Sequence, residues 1–305
     1  MNPIEFDVSA ADAGGRLDSV VASRTDVSRA VAARAIDAGD VTVDGDNKTR
    51  AHRVREGEHV VVAIALSAEP AGPLPEQIDV PVRYEDEWLL VVAKPAGLVV
   101  HPGPGHPGGT LVNALLARAG RPVGGDVGRP GIVHRLDSGT SGLMIVAKEA
   151  EAYATLAEMM LRHEVQRTYV ALAEGLPDTT SGTIDAPLGR SPQHRKKIAV
   201  VAGGRDAVTK FRVVERLREC SLLEVKPETG RTHQIRVHLA AIGHAVLGDA
   251  VYGHDRKLAR RLGLTRPFLH AAGLAFTHPV TGAAMTLEEP LSQDLETALA
   301  SARSV

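Results

Sequence analysis

The stretch GIVHRLDSGTSGLMIVAK, residues 131–148, places charged side chains between two apolar runs. His134, Arg135 and Asp137 follow the first run, and a turn rich in glycine and hydroxyl groups leads into the second. A carboxylate at the lip of a buried strand can act as a nucleophile, which divides a difficult reaction into easier steps. The same residue is typical of a turn aspartate that bonds its own backbone, and the local string alone favours that interpretation.

Two residues far along the chain could complete a site around Asp137. Tyr169 follows Arg167 at the start of an apolar strand, RTYVALAEG. Arg236 lies in the cationic segment GRTHQIRVH, which we predict to be a strand. That segment also contains Arg231, His233 and His238. The alternatives are that Arg236 is a surface charge and Tyr169 a core tyrosine.

A third feature is the basic segment GRSPQHRKK, residues 189–197, which we predict to be a loop. It contains no acidic residue and four basic ones: Arg190, Arg195, Lys196 and Lys197. A carboxylate, an arginine, a tyrosine and a basic loop suit a pocket for a flat polar ring on a polyanion. The alternative is that this loop is an ordinary solvated face.

Other candidate chemistry is weaker. GPGHPG, residues 103–108, matches the glycine pattern of nucleotide-binding loops, but its prolines remove amide donors that a phosphate would need. His233 and His238 are five residues apart, whereas the histidine ligands of zinc motifs are usually three or four residues apart and are accompanied by further ligands. We therefore expect no metal site. Cys220 is the only cysteine, which excludes a disulfide framework. The sequence contains no G-x-S-x-G nucleophile motif.

The elements that position these residues fall into two predicted domains. Residues 1–66 are expected to form a small αβ module with two helices, RLDSVVAS and SRAVAARAIDAG, and strands at VTVDG and HVVVAIA. We place the N-cap of the second helix at Ser28 and its end at Gly39. Residues 67–77 contain several prolines without periodicity and are predicted to be a linker.

From residue 78 to residue 305 the sequence predicts many strands and fewer helices. VPVRYEDEWLLVVAKPAG suggests a hairpin, while TLVNALLARAG and EAYATLAEMMLRHEV have helical spacing. Predicted strands follow at RTYVALAEG, VTKFRVVERL, CSLLEVKPETG and FLHAAGLAFTHP. This pattern indicates an α+β fold with a large, mainly antiparallel mixed sheet and flanking helices and loops.

Composition restricts the class of protein. The chain has 305 residues and is 44% hydrophobic, so it can bury a substantial core. Its 35 basic and 37 acidic residues leave a net charge of -2, so a polyanion must be held by a local patch. The N-terminal stretch does not resemble a signal peptide, and no apolar run is long enough for a membrane span. We therefore expect a cytoplasmic protein with no membrane contact.

The signature at Asp137 closely resembles that of the RluA/RluD-type pseudouridine synthases, which modify uridines in ribosomal RNA. Further matching segments follow in family order across most of residues 78–290: VVAKPAGLVVHPGPGHPGGTLVNALL, RTYVALAEG, RKKIAV, TGRTHQIRVHLAAIGHAVLGDAVYG and LHAAGLAFTHPVTG. The N-terminal module resembles the small RNA-binding domain named after ribosomal small-subunit protein four. The resemblance implies the pseudouridine synthase fold with this domain attached in front.

The resemblance also implies roles for individual residues. Asp137 corresponds to the catalytic aspartate, Tyr169 to the tyrosine that packs on the target base, and Arg236 to the arginine that pairs with the aspartate. Arg135 corresponds to a position that reaches toward RNA when the base is extruded, and Leu269 helps to floor the pocket. The further residues that we predict to bind RNA are Arg190, Arg195, Lys196, Lys197, Arg231, His233 and Arg29.

The resemblance implies RNA, either free ribosomal RNA or a ribosomal particle, as the partner. No cofactor is expected because isomerisation of uridine oxidises nothing and releases no group. We expect a monomer. A non-catalytic RNA-binding or ribosome-assembly factor on the same fold is the main alternative, and an aspartate-dependent glycosidase, which needs two acting carboxylates, is another.

Two features depart from the family pattern. Ser138 and Gly139 replace the Lys-Asp pair that is common after HRLD, so RNA contacts there are expected to differ. The N-terminal module has eight basic and eleven acidic residues, so it is not a strongly basic arm. RNA binding by this module would depend on clustered residues, namely Arg24, Arg29 and Arg34, or Lys48, Arg50, Arg53 and Arg55.

Overall fold

The structure, a computed structural model, describes residues 3–25, 27, 29–63, 73–103, 106–119, 131–194 and 197–304. The chain divides into two compact units, residues 1–72 and 73–305. Near the start of the second unit, the Glu76 carboxylate accepts the backbone N–H of Gly109 at 3.0 Å. The predicted domain bounds and the RNA-binding role of the first unit stay predictions.

The first unit contains two helices and a small antiparallel sheet. In chain order its elements are β1 (Ile4–Asp7), α1 (Leu17–Thr25), α2 (Arg29–Ala38), β2 (Val41–Val43), β3 (Asp46–Asn47) and β4 (His59–Val62). The strand order is β1-β4-β2-β3. Alternate valines of β2 and β4 are buried with residues of both helices, as the period of two predicts. Gly39 follows α2 with φ 85°, a conformation that suits glycine after a helix, and Ser28 lies outside the described residues.

The second unit contains the remaining strands and helices. In chain order these are β5 (Val82–Glu85), β6 (Leu89–Lys94), α3 (Leu111–Ala119), β7 (Ser141–Ala147), α4 (Ala150–Leu161), β8 (Gln166–Glu174), β9 (Ser181–Asp185), β10 (Leu188–Arg190), β11 (Ile198–Val200), β12 (Val208–Arg216), β13 (Cys220–Pro227), α5 (Gln234–Ala241), α6 (Arg256–Arg261), β14 (Leu269–Thr277), β15 (Ala284–Glu288) and α7 (Gln293–Ser304).

A large mixed sheet organises this unit. Its nine strands in the described residues run in the order β5-β6-β7-β14-β8-β13-β12-β9, with β15 paired to β14. Every named pairing in it is antiparallel except β7 with β14, which is parallel. The predicted α+β fold with a mainly antiparallel mixed sheet is therefore confirmed.

Both faces of the central strands are covered, which explains why β6 and β7 are buried along their whole length. Leu143 and Ile145 of β7 pack with Leu156 of α4 on one face. Met144 and Val146 face the other side, in a cluster to which α3, α5 and Tyr169 contribute. Alternation along the strand thus places the candidate site on the α3 and α5 side of the sheet.

The predicted strand around Arg236 is wrong, because residues 234–241 form helix α5. Ile235, Val237 and Leu239 alternate with polar residues and therefore imitate a strand. All residues from Gln234 to Leu239 are buried, so this helix shows no exposed face to reveal its period. Its first turn is fixed by the Gln234 side chain, which accepts the Arg231 backbone N–H at 2.9 Å.

The basic segment connects two short strands, since β10 and β11 pair as an antiparallel hairpin. Of its four basic residues, Arg190 ends β10 and is exposed, and Lys197 precedes β11. Arg195 and Lys196 lie outside the described residues. In the described part of the chain, no helix has both the length and the apolar character needed to cross a bilayer.

Candidate active site

Asp137 lies in a tight loop that precedes strand β7. The loop begins after Ile132, which forms an isolated antiparallel β-bridge with Val146 of that strand. The carbonyl of Asp137 accepts the N–H of Thr140 at 3.1 Å, which closes the turn. The next carbonyl, that of Ser138, accepts the N–H of Gly97 at 2.8 Å. The Asp137 side chain faces Arg236, so the carboxylate is available for chemistry while the backbone holds the turn.

Beneath this loop lies Lys94, the last residue of β6, which is 1% exposed. Its ammonium donates to the carbonyls of Pro95 and Leu98, each at 2.8 Å, and to Ser138 at 3.3 Å. Burial lowers the pKa of Lys94 to about 7, although the negative charge of Asp137 opposes that shift. Lys94 therefore places a buried amino group with a pKa of about 7 close to the loop of Asp137.

One guanidinium connects two carboxylates at the centre of the site. Arg236 Nη1 donates to Asp137 Oδ2 at 2.9 Å. The same side chain binds Asp249 through Nε at 2.6 Å and through Nη2 at 2.8 Å. Burial alone would lower the pKa of Arg236, but the hydrogen bonds and charges of Asp249 and Asp137 outweigh it and raise the pKa. Arg236 therefore stays charged and faces Asp137 in a fixed orientation.

Asp249 is held from several sides at once. Its side chain is fully buried, and it accepts the N–H groups of Val251 and Tyr252 in addition to Arg236. Burial tends to raise the pKa of this carboxyl, but Arg236 outweighs burial and lowers it. Sequence reasoning missed Asp249, although the segment GDAVYG that contains it belongs to the matched string. Because it faces the back of the guanidinium, Asp249 is not placed as a second acting acid for a glycosidase.

His233 lies beside the aspartate. Its Nε2 is 4.0 Å from Asp137 Oδ1, and its Nδ1 is 2.9 Å from the hydroxyl of Tyr252. The His233 backbone has φ 57°, a left-handed conformation that costs free energy in a residue with a Cβ and is common at functional sites. Burial lowers the pKa of His233, and the charge of Asp137 opposes that shift. The ring thus lies in the cleft as a largely neutral group near Asp137.

Tyr169 and Leu269 complete the wall opposite these charges. They are 6% and 4% exposed, and both line a cleft of about 730 Å³ together with Asp137 and Arg236. Burial is the main cause that raises the pKa of Tyr169, so its phenol stays neutral. A flat ring entering this cleft would meet one aromatic side chain, one aliphatic side chain and the carboxylate.

Of the predicted RNA-binding residues, Arg135, Arg231 and His233 line the same cleft. Arg135 is exposed, and Arg231 Nε donates to the carbonyl of Asp206 at 3.0 Å. Lys197 Nζ donates to the carbonyl of Val251 at 3.1 Å. Among the cations that line the cleft, Arg231 is therefore held in place by a hydrogen bond to the protein backbone.

The basic residues of the first unit are largely matched by acids. Arg29 and Arg16 both bind Asp18, at 3.2 Å and 2.9 Å, and Arg16 is the main cause that lowers the pKa of Asp18. Similar ion pairs join Arg24 to Asp12, Lys48 to Asp46 and Arg50 to Asp37. Internal pairing reduces the charge that this unit can offer to a phosphate chain.

A protein-family model described as RNA pseudouridylate synthase matches residues 88–241, a span that includes Asp137, Tyr169 and Arg236. The chain belongs to the RNA pseudouridylate synthase family. A relative named ribosomal large subunit pseudouridine synthase D from Xanthomonas campestris is 42% identical over 301 residues, covering 95% of this chain and 90% of the relative. The relative of the same name from Zymomonas mobilis is 44% identical over 294 residues, covering 93% and 92%.

The solved structures agree with this membership. Human RNA pseudouridylate synthase domain containing 4 has a TM-score of 0.58 to this chain at 25% identity, covering 73% of this chain and 93% of that protein. The predicted family and the predicted enzyme class, an RNA pseudouridine synthase, are confirmed. As a pseudouridylate synthase, the protein is an isomerase. In the described residues, no three His, Cys, Asp or Glu side chains are grouped as a metal site would require.

Proposed function

We propose that this pseudouridine synthase modifies specific uridines of large-subunit ribosomal RNA and that Asp137 is its nucleophile. The names of relatives that are 42% and 44% identical support the substrate class. The observation that carries the residue assignment is the 2.9 Å hydrogen bond from Arg236 to Asp137, two residues that lie 99 positions apart. This bond leaves one carboxylate oriented in a cleft beside a tyrosine.

The reaction rearranges bonds without changing oxidation state. The bond from the sugar to the ring nitrogen breaks, the uracil turns, and the sugar rejoins the ring through carbon. That carbon loses a proton and the freed nitrogen gains one, so the atoms balance and no cofactor is required. One nucleophilic carboxylate is sufficient for such a route because it replaces one hard step by easier ones.

Arg236 orients the nucleophile in this proposal. A guanidinium remains charged at any working pH and presents parallel N–H donors in a rigid plane. With Nε and Nη2 occupied by Asp249, only the Nη1 side of Arg236 is directed at Asp137. The carboxylate is thereby held at one angle to the incoming sugar. Fixing the orientation of a reacting group in this way increases the rate of reaction.

The target base has to leave its stack before it can reach Asp137, at a cost of roughly a few kcal/mol. Tyr169 and Leu269 would hold the extruded uracil between apolar surfaces. Arg135, which is exposed at the cleft, would occupy the space that the base vacates in the RNA. Exposed cations on the rim would bind phosphates without reading sequence.

RNA binding by the wider surface belongs to the same proposal. We assign phosphate contacts to Arg190, Arg195, Lys196 and Lys197 in the basic segment, and a smaller contribution to Arg29 in the first unit. We further propose that the protein acts as a monomer in the cytoplasm on ribosomal RNA or a ribosomal particle. Arg29 is paired with Asp18, so it has less charge to offer to a phosphate. We therefore assign most of the affinity for RNA to the second unit.

The test is a map of pseudouridines in ribosomal RNA taken from a strain that lacks this protein. Incubation with the wild-type protein is expected to restore pseudouridine at defined uridines of the large-subunit RNA. Asp137→Asn, which keeps the size of the side chain but removes its nucleophilicity, is expected to restore none. Chemical derivatisation followed by primer extension locates each modified position.

Three outcomes would contradict this proposal in whole or in part. Full modification by Asp137→Asn would exclude this residue as the nucleophile. Tight binding to the RNA without any pseudouridine from the wild-type protein would instead favour a non-catalytic assembly factor. Modification confined to another class of RNA would correct the substrate while leaving the chemistry in place.

A further inference from the structure

The cleft that contains Asp137 extends well beyond the side chains that would surround one uracil. Its volume is about 730 Å³, within the roughly 300–1,000 Å³ range that holds whole ligands rather than one small ring. Its outer part is lined by residues of helix α4, and nothing in the proposed reaction uses them. This part of the wall is apolar and differs in character from the charged end around Asp137.

Helix α4 has two apolar stripes. Ala152, Leu156 and Met159 are buried and pack against the sheet. A second set at positions i, i+4, i+7 and i+8 lies along the cleft: Tyr153, Ala157, Met160 and Leu161. We call these four residues the α4 stripe. Their spacing places them on one face of the helix, so they form a continuous surface rather than scattered side chains.

The outer end of the α4 stripe is open. Leu161 is 81% exposed, although it lines the cleft, and it is an aliphatic residue without a polar tip. His163, two residues further on, has φ 59°, and the N–H of Glu164 donates to the carbonyl of Met159 at 2.9 Å, so this left-handed residue ends the helix in the usual way. Leu161 is thus the exposed apolar end of a stripe whose other members line the cleft.

The α4 stripe is connected to Asp137 by a short piece of chain. Residues 132–137 all line the cleft, and Val133 packs in the same cluster as Tyr153. Val133 and Asp137 are four residues apart, so they are separated by at most about 14 Å along the chain. A ligand that places one base at Asp137 can therefore place a nearby group on the stripe.

Two buried N–H groups lie in the same wall. His134 Nε2 accepts the N–H of Ile145 at 2.9 Å, so the proton of the neutral imidazole is on Nδ1. Among the described residues, neither His134 Nδ1 nor Arg167 Nε has a hydrogen-bond acceptor. Both residues are 8% exposed, and both line the cleft. Both nitrogen atoms are enclosed by protein, so a ligand in the cleft would contact the apolar part of this wall and not these two donors.

We propose that the α4 stripe is a second subsite, which binds a nucleobase of the RNA close to the extruded uridine. A nucleobase presents a flat face that packs on aromatic and apolar side chains such as those of the stripe. The phosphates of the same RNA would be directed toward Arg135, which is exposed at the cleft. This inference rests on the proposed function and adds a contact that selects among uridines by their neighbours.

The test is a double-mutant cycle in which one substitution is made in the protein and the other in the RNA, and RNA affinity is measured for each combination. Leu161→Ala shortens the exposed end of the stripe, and Leu176→Ala is the matched control, because Leu176 is also exposed but does not line the cleft. The RNA is the large-subunit fragment that contains the mapped uridine, with single abasic nucleotides placed in turn at the three positions on either side. Each leucine substitution is made in a protein that also carries Asp137→Asn, so that RNA binding is measured without turnover.

We expect one flanking position at which loss of the base weakens binding about tenfold with Leu161 present. With Leu161→Ala the same abasic RNA should bind within about twofold of the intact RNA, since the contact is already lost. Leu176→Ala should behave like the parent protein. Equal effects of every abasic position on both proteins would overturn the subsite.

Unchanged affinity of Leu161→Ala for intact RNA would overturn the proposal in another way, because the stripe would then serve a partner other than RNA. These outcomes are separate from failure of the proposed function. A wild-type protein that binds the fragment but forms no pseudouridine refutes the chemistry. The coupling between Leu161 and a flanking base is read from dissociation constants and does not depend on turnover.

Discussion

At the level of single residues, the site depends on one arginine that serves two carboxylates. Asp249 is buried and bound by Arg236 and by two backbone N–H groups, so it cannot move without breaking several bonds. It therefore fixes the plane of the guanidinium, and the plane fixes the direction of Asp137. The 2.9 Å hydrogen bond from Arg236 thus holds the Asp137 carboxylate in one orientation.

The first prediction concerns the shape of the cation at position 236. Arg236→Lys keeps the positive charge but cannot bind Asp249 and Asp137 at the same time through a rigid fork. We expect kcat to fall by about 100-fold, because a small misorientation of a reacting group has an effect of that size. Single-turnover formation of pseudouridine on the mapped RNA fragment measures it.

Asp249→Asn provides a companion variant, since the amide keeps the size of the side chain and loses its charge. We expect it to lower kcat in the same direction while RNA affinity stays close to that of the wild type. A near-normal turnover of Arg236→Lys would refute the orienting role of the fork. Circular dichroism and thermal unfolding of both variants would show whether the fold is preserved.

The second prediction concerns Lys94 and pH. The pKa of Lys94 is lowered to about 7 by burial, whereas an unfolded lysine titrates near 10.5. Between these values the unfolded chain binds more protons than the folded chain, so this group makes the free energy of unfolding increase as pH rises. From pH 7 to pH 9 the contribution is about 2 kcal/mol.

Comparison with Lys94→Met isolates this contribution, because methionine has similar length and no proton to lose. Urea denaturation at pH 7 and pH 9 gives the change in unfolding free energy for each protein. The wild type is expected to gain more than the variant between the two pH values. Equal gains in the two proteins would mean that Lys94 titrates at its ordinary pKa.

At the level of elements, the parallel contact between β7 and β14 brings the parts of the site together. It joins Ser141 to His270 and Gly142 to Ala271, just after the loop of Asp137 and just after Leu269. The Ser141 hydroxyl lies 2.8 Å from His270 Nδ1, which adds a side-chain bond across the same contact. Asp137 and Leu269 are thus neighbours because two strands far apart in sequence start side by side.

The third prediction tests this contact at Gly142. Its backbone has φ 112°, and a Cβ there would lie 2.2 Å from the carbonyl oxygen of Ala271. Gly142→Ala is therefore expected to lower the free energy of unfolding by about 3 kcal/mol and to reduce turnover sharply. Gly282→Ala is the control, because Gly282 also has a positive φ, 73°, but no atom lies within 4 Å of its Cβ position.

Urea denaturation of both variants separates the two causes of destabilisation. The control carries only the cost of the backbone conformation, expected to be about 1 kcal/mol. A Gly142→Ala variant no less stable than Gly282→Ala would show that β7 and β14 can separate without consequence. It would also contradict the view that this parallel pair positions the catalytic loop.

At the level of the whole molecule, positive charge is confined to local clusters and the net charge is close to zero. The chain has 35 basic and 37 acidic residues, and the first unit uses several of its arginines in internal ion pairs. In the proposed function, RNA, which carries one charge per nucleotide, is therefore bound by concentrated groups, namely the basic segment at residues 189–197 and the rim of the cleft. Association is expected to depend on salt through those groups.

The fourth prediction concerns that salt dependence. Replacing Arg195 and Lys196 by Gln is expected to weaken RNA binding and to reduce the slope of log affinity against log salt by about 1.5, since each lost phosphate contact removes roughly 0.7–0.9. The control replaces Arg256 and Lys257, two exposed basic residues of α6 outside the cleft. An unchanged slope in the first variant, measured by fluorescence anisotropy, would count against the basic segment.

Sequence reasoning succeeded wherever local pattern decides structure. The hairpin of β5 and β6, the helices α3 and α4 and strand β8 follow from apolar spacing and turn residues. The ordered motifs identified the family, which is confirmed. The catalytic role of Asp137 follows from that resemblance and stays a prediction. Sequence reasoning failed at α5, since a helix buried on every side carries no period in its sequence.

What the sequence determined by itself is the family and most of the elements whose apolar spacing is regular, because these depend on residue types and their local spacing. It also predicted Asp137 as the reactive carboxylate. What only the tertiary structure decided is which distant groups meet. Asp249 binds Arg236 from behind, and Lys94 lies beneath the loop of Asp137. Such contacts join residues across strands that pair far along the chain, and no local pattern records them, because pairing is decided by the packing of the whole sheet.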